Sequence, residues 1–189
     1  MTQFSLQTSW HLDAPVERVW EALVAVEDWP RWWRFLQAVT ELEHGHNGGV
    51  GSLQRYTWSS KLPYRLTFEM RTTKLERPTL IEGIAVGDLN GTGRWQLREL
   101  GQSAIVRYEW RVSTGRSWMT LLGPLLAPIF TWNHNQVMLE GGRGLAHYLR
   151  IALLDTEDAS YNRRGLAAVG PHVGSAAGSP ANCDEYPRR

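Results

Sequence analysis

Few residues of this chain could do acid–base chemistry in an apolar interior. The stretch Leu80-Ile81-Glu82-Gly83-Ile84-Ala85-Val86-Gly87-Asp88 alternates, so Glu82 shares a side with Leu80, Ile84 and Val86. With Ile84 and Val86 inward, Glu82 is inward too. A carboxyl group there must be paired, hydrogen-bonded or protonated, and desolvation raises its pKa. That is the state used by a general acid, a general base or an anchor for a ligand hydroxyl. The plainer reading is a rim carboxylate paired with an arginine. His134, next to Asn133, falls where a C-terminal helical stretch should face the interior. It has the chemistry to donate to a ligand carbonyl or to act as a base near neutral pH, and its plainer reading is a satisfied core or helix-surface histidine. Tyr108 completes the set that an acid–base mechanism would need. His44-x-His46 with Glu43 has chelating residue types, but it sits at a glycine-rich hairpin and reads as a solvated turn. The glycines of Gly87–Gly93 lie between strands and not before a helix, which argues against a phosphate loop. The single cysteine, Cys183, excludes an internal disulfide framework and Cys-rich zinc sites. Neither a metal nor a cofactor is expected.

The elements that would position these side chains are legible from periodicity. Phe4, Leu6, Thr8 and Trp10 alternate with polar residues, which predicts a strand over 3–11. Asp13 or Ala14 can cap the following helix, and Pro15 suits its first turn. Val16, Val19, Trp20, Leu23 and Val26 give an amphipathic helix over 15–27. Trp29-Pro30-Arg31-Trp32-Trp33 opens a further short turn, and Trp29–Phe35 is placed as a lid beside a cavity mouth. Six period-two segments follow, at Leu36–His44, Leu53–Ser60, Tyr64–Leu75, Thr79–Asp88, Gly93–Leu100 and Ala104–Ser113, with Asn90-Gly91 as a hairpin turn. Alternation of apolar and charged residues marks an antiparallel sheet with one wet face. Helix resumes over 118–154, with Pro124 and Pro128 breaking or restarting it early. Gly141, Gly142 and Gly144 each cost about 1 kcal/mol relative to Ala in a helix; they imply either a close approach by another element or a break. Trp118, Met119 and Leu121–Leu126 read as a rim that could touch a membrane transiently, or as plain hydrophobic closure. From Asp155 to Arg189 no period persists, and 16 of 35 residues are Ala, Gly, Ser or Pro. The expected division is therefore one domain over 1–154 and a mobile tail over 155–189.

Composition narrows the function classes. With 20 Lys+Arg against 19 Asp+Glu in 189 residues, the chain lacks the basic surplus that nucleic acid binding calls for. The longest apolar run, Met119–Phe130, is too short to span a bilayer, so stable membrane insertion is not expected. The first residues carry no secretory pattern, and a soluble cytoplasmic protein is the expectation. Ten Trp, all between Trp10 and Trp132, are a heavy load of large rings. The inward candidates are Tyr56, Trp58, Leu66, Phe68, Trp95, Tyr108, Trp110, Phe130, His134 and Met138. An apolar pocket with few polar groups is the usual form of a small-molecule site; the competing outcome is a core filled by these same rings.

The element order, with Leu12-Asp13-Ala14-Pro15-Val16-Glu17-Arg18-Val19-Trp20, Trp29-Pro30-x-Trp32-Trp33 and Gly87-x-Leu89-x-Gly91-x-Gly93-x-Trp95, resembles the START and birch-pollen-allergen superfamily, also called SRPBCC. Within it the chain is most similar to the polyketide cyclase/dehydrase-like branch, over about residues 3–153. The resemblance implies an α+β helix-grip fold: a curved seven-stranded antiparallel sheet wrapped on a long C-terminal helix, with two short helices after strand 1. It also implies a cavity for a small apolar molecule. Two readings then stand. One is carriage or sensing of an aromatic or lipid-like compound, with Glu82 and His134 orienting it. The other is a cyclase/dehydratase in which Glu82, His134 and Tyr108 act on a folded poly-carbonyl chain.

Overall fold

A computed structural model describes residues 3–46, 48–59, 65–114, 117–162 and 167–168, with the side chains of 114–126 and from 160 onward outside the description. Strand β1 (Gln3–Leu12) carries the expected alternation, burying Phe4, Leu6, Thr8, Trp10 and Leu12. Helix α1 (Val16–Val24) buries Val16, Val19, Trp20 and Leu23. A single 3-10 turn (Val26–Asp28) leads into α2 (Trp29–Trp32), where Pro30 occupies the first turn. Six strands follow as a meander: β2 (Leu36–Glu43), β3 (Leu53–Trp58), β4 (Leu66–Glu76), β5 (Leu80–Gly87), β6 (Leu89–Leu100) and β7 (Ser103–Thr114). Then come α3 (Ser117–Leu149), β8 (Leu153–Asn162) and the two-residue β9 (Ala167–Ala168).

All strands join one antiparallel sheet in the order β2-β3-β4-β5-β6-β7-β1-β8-β9. The register sets Leu6 opposite Trp110, Thr8 opposite Tyr108 and Trp10 opposite Val106 on β7. It also sets Trp95 opposite Tyr108. These side chains share the concave face, which curves around α3 as the helix-grip fold requires. The opposite face carries ion pairs such as Arg55–Glu69 at 2.7 Å and Arg71–Glu43 at 2.7 Å. It is the wet surface that the alternation foretells.

Three expectations change. Seven strands become eight of six residues or more, plus β9, because the segment read as the start of a mobile tail is a strand. Residues Leu153–Asn162 pair along the free edge of β1. Thr8 Oγ1 donates to Asp158 Oδ1 across that pair at 2.5 Å. Main-chain pairing holds this strand without a strong apolar stripe, which is why periodicity overlooks it. Most of the remaining tail lies outside the described residues. Helix α3 runs unbroken through Pro124 and Pro128, and it stops at Leu149, short of residue 154. Finally, β6 already begins at Leu89, so Asn90-Gly91 lies inside it. The chain reverses just before, where Asn90 Oδ1 accepts from Gly87 N and Asn90 Nδ2 donates to Gly87 O. Among the described residues, no helix is long and apolar enough to cross a membrane.

Candidate functional site

The C-terminal half of α3 closes on tryptophan. A Cβ on Gly141 would stand 2.4 Å from the Trp33 ring, and one on Gly144 would stand 1.8 Å from the Trp32 carbonyl oxygen. The helix glycines are therefore seats for bulky partners, as close approach demands. Trp32 and Trp33 stack with ring centres 5.3 Å apart, and Trp33 meets Trp10 at 5.8 Å and Trp29 at 5.4 Å. Trp33 Nε1 donates to the Val137 carbonyl at 2.8 Å, which ties the cluster to the helix. Trp29, Trp32 and Trp33 are all buried, so Trp29–Phe35 is core and not a lid.

The preceding turns of α3 do not meet the sheet so tightly, and a cavity of about 140 Å³ remains. Phe130, Asn133, His134, Val137 and Met138 line it from the helix, at the i, i+3, i+4, i+7 and i+8 spacing of one helical face. Phe4 and Leu6 line it from β1, and Tyr108, Trp110 and Val112 from β7. Leu89 and Trp95 come from β6, Leu66 and Phe68 from β4, and Trp58 from β3, with Ser59 just beyond it. Trp29 and Trp33 form the boundary with the tryptophan cluster. The wall is orderly: Trp95 stacks on Tyr108 at 4.2 Å, and Tyr108 in turn packs near-parallel to Trp110 at 5.8 Å. Gly93 makes room for this, since a Cβ there would lie 2.8 Å from the Trp110 ring and 2.9 Å from the Tyr108 hydroxyl.

The electrostatics are those of an apolar site. No Asp, Glu, Lys or Arg lines the cavity among the described residues. Burial lowers the His134 pKa from 6.5 to about 4, so its imidazole is neutral at physiological pH. Burial likewise pushes the Tyr108 phenol well above its usual range, and it stays protonated. Asn133 Oδ1 and His134 Nε2 are buried with no hydrogen-bond partner. Buried polar atoms are nearly always satisfied, so two orphans on adjacent residues of a cavity wall are an exception that calls for a cause.

Nine of the eleven expected site residues line this space: Trp58, Leu66, Phe68, Trp95, Tyr108, Trp110, Phe130, His134 and Met138. Tyr56 is buried one layer back, stacked on Phe68 at 5.8 Å and against Trp29 at 6.0 Å. Glu82 is a correction. The inward residues of β5 include Gly83 and Ala85, whereas Ile84 and Val86 are 48% and 61% exposed. Glu82 lies on the outer face and pairs with Arg94 at 2.6 Å, away from the cavity. The rim expected at Trp118–Leu126 has its side chains outside the described residues. His44 pairs with Glu41 at 2.9 Å, and no metal-holding group of three donors occurs among the described residues. Sequence reasoning left Phe4, Leu6, Trp29, Trp33 and Asn133 out of the site, although the alternation of β1 already pointed Phe4 and Leu6 inward.

A curved antiparallel sheet that grips a long helix over an apolar hollow defines a helix-grip protein. The chain belongs to the family described as polyketide cyclase / dehydrase and lipid transport, which matches residues 3–145. No curated protein matches it. Among solved structures it is similar to a START superfamily protein from Mycobacterium smegmatis, with 12% identity and a TM-score of 0.65 over 78% of this chain and 97% of that one. It is similar to the Zhui aromatase/cyclase from Streptomyces sp. R1128, with 14% identity and a TM-score of 0.62 over 78% and 94%. It is also similar to the major latex-like protein 151 of Panax ginseng, with 13% identity and a TM-score of 0.58 over 79% and 99%. At such identities the likeness establishes a shared fold, and the family match over residues 3–145 is what places the chain in its family.

Proposed function

We propose that this chain binds a small apolar molecule, aromatic in preference, between its sheet and α3, and acts by carrying or sensing it. The observation that carries this reading is the 140 Å³ cavity walled by stacked aromatic rings and free of charged side chains among the described residues. An apolar cavity of about 150 Å³ in another protein stays dry and takes up benzene. This one is of the size for a single aromatic ring. Binding would come from apolar burial at roughly 25 cal/mol per Å², less the cost of immobilising the guest. The Zhui protein is an aromatase/cyclase by name, and a cyclase/dehydratase is the alternative for this chain. Placement of Glu82 on the outer face removes one of its three groups. A histidine with a pKa of about 4 is also a poor base at neutral pH. Both facts support binding over catalysis.

The test is titration with toluene, naphthalene and decanol, followed by tryptophan fluorescence and thermal unfolding. Trp29, Trp33, Trp58, Trp95 and Trp110 line the space, so a guest should change emission saturably and raise Tm. A Leu6→Trp variant that keeps the wild-type circular dichroism should lose the response. A wild-type protein indifferent to all three compounds would overturn the reading.

A further inference from the structure

The α3 wall of the cavity carries two polar side chains on neighbouring residues. Asn133 and His134 are adjacent, both line the space, and both carry a buried atom that no protein group satisfies. Asn133 is 8% exposed, and its amide oxygen can only accept. The neutral His134 ring offers Nε2 as donor or acceptor according to its tautomer. Around them the wall is mostly hydrocarbon and aromatic; its other unpartnered buried polar atoms are the indole donors Trp29 Nε1 and Trp58 Nε1, and neither a cation nor an anion occurs among the described lining residues.

Three kinds of guest meet this pair differently. A bare hydrocarbon fills the space but leaves both orphans unsatisfied. A carboxylate brings only acceptors and a charge, so it finds lone pairs at Asn133 Oδ1 and no counter-charge anywhere in the described wall; the desolvation cost stands uncompensated. A hydroxyl is both donor and acceptor and carries no net charge, so it serves the amide oxygen and either tautomer of the imidazole. Resting on the binding reading above, we propose that the site selects uncharged hydroxyl-bearing aromatic rings, phenols in chemical class, over both the parent hydrocarbon and the corresponding carboxylate, with Asn133 and His134 holding the hydroxyl. The selection is a matter of unmet hydrogen bonds. Rejection by a site with orphaned polar atoms is much stronger than rejection by shape alone.

The experiment uses three probes of one shape, p-cresol, toluene and p-toluate, titrated calorimetrically into the full chain at pH 7. The expected result is p-cresol at least ten-fold tighter than toluene, with p-toluate not bound. In Asn133→Leu and His134→Leu the volume is nearly kept and the orphan is removed. Each should lower the p-cresol preference below about three-fold while leaving toluene binding equal or tighter. Losing no hydrogen bond to the protein at these atoms, both variants should fold, and circular dichroism checks that they do. Equal affinity for p-cresol and toluene overturns this inference and leaves the binding reading standing. So does an unchanged preference in both variants, or binding of p-toluate as tight as that of p-cresol. Failure of all three probes to bind overturns the inference and the binding reading together.

Discussion

Between pH 7 and pH 4 the unfolded chain takes up a proton at His134 and the folded chain does not. Burial alone lowers the folded pKa from 6.5 to about 4, and no acid lies among the described cavity-lining residues to offset it. Stability rises with pH wherever the unfolded state holds more protons. The contribution of His134 is therefore fully present above about pH 6.5 and is lost as pH falls toward 4. The fall from 6.5 to about 4, at about 1.36 kcal/mol per pH unit, amounts to roughly 3 kcal/mol. That is a large share of the roughly 5–15 kcal/mol that holds an ordinary domain folded. Urea unfolding of wild type and His134→Leu at intervals from pH 7.5 to 4 isolates the effect. Asp158, whose carboxyl burial pushes up, and the half-buried Asp28 and exposed Glu43, whose arginine partners hold them low, titrate alike in both proteins. The difference in stability should move by roughly 3 kcal/mol in favour of the variant between pH 7 and 4. The ring proton resonances of His134 should stay fixed above pH 5. Parallel stability curves, or a histidine titrating near 6.5, would show that the ring is wet and that the cavity wall is misplaced.

Other substitutions probe the frame around the site. Gly144→Ala gains about 1 kcal/mol of helix propensity, but it drives a methyl group into the Trp32 carbonyl. Because backbone cannot step aside, a net loss of about 2 kcal/mol or more in urea midpoint analysis is expected, and a neutral result would refute the close approach. Glu82→Gln breaks a partly exposed ion pair with Arg94. It should cost less than about 1 kcal/mol and leave ligand titrations unchanged, whereas lost binding would return Glu82 to the site. Thr8→Val removes the hydroxyl that donates to Asp158. Stability at pH 7 should fall by about 1–2 kcal/mol, and the Asp158 carboxyl, read by NMR, should titrate at still higher pH.

Most of the fold was legible because β1 alternates apolar with polar residues, and β4, β6 and β7 alternate large apolar with charged ones, as at Trp95, Tyr108 and Trp110. Strand β5 has the same period but the opposite phase. Its inward positions Gly83 and Ala85 are small, with Gly83 lying under Met70 (a Cβ there would be 3.0 Å from Met70 Cε), while Ile84 and Val86 face water. Hydrophobicity alone thus turned Glu82 the wrong way. Pro30 signalled a turn, but nothing local disclosed the depth of Trp29 and Trp33. The signal was remote, in glycines on α3: Gly141 and Gly142 sit against the Trp33 and Trp10 rings, and Gly144 against the Trp32 backbone. Strand β8 was hidden because Thr156, Glu157 and Asp158 lack apolar contrast, and pairing of the main chain needs none. Asn133 fell inside the visible helical face, yet its importance rests on a missing partner, which spacing cannot reveal.

Pairing of β8 along β1 has a consequence for any shortened version of this protein. With β8 in place, β1 is an interior strand, hydrogen-bonded to β7 on one side and β8 on the other. A chain cut after Leu149 would bare the outer edge of this ten-residue strand beside the hollow, with the amides and carbonyls of alternate residues unpaired, an adhesive margin on which a second molecule could dock strand to strand. Such a fragment should self-associate in proportion to its concentration, even though every residue named in the pocket is still present.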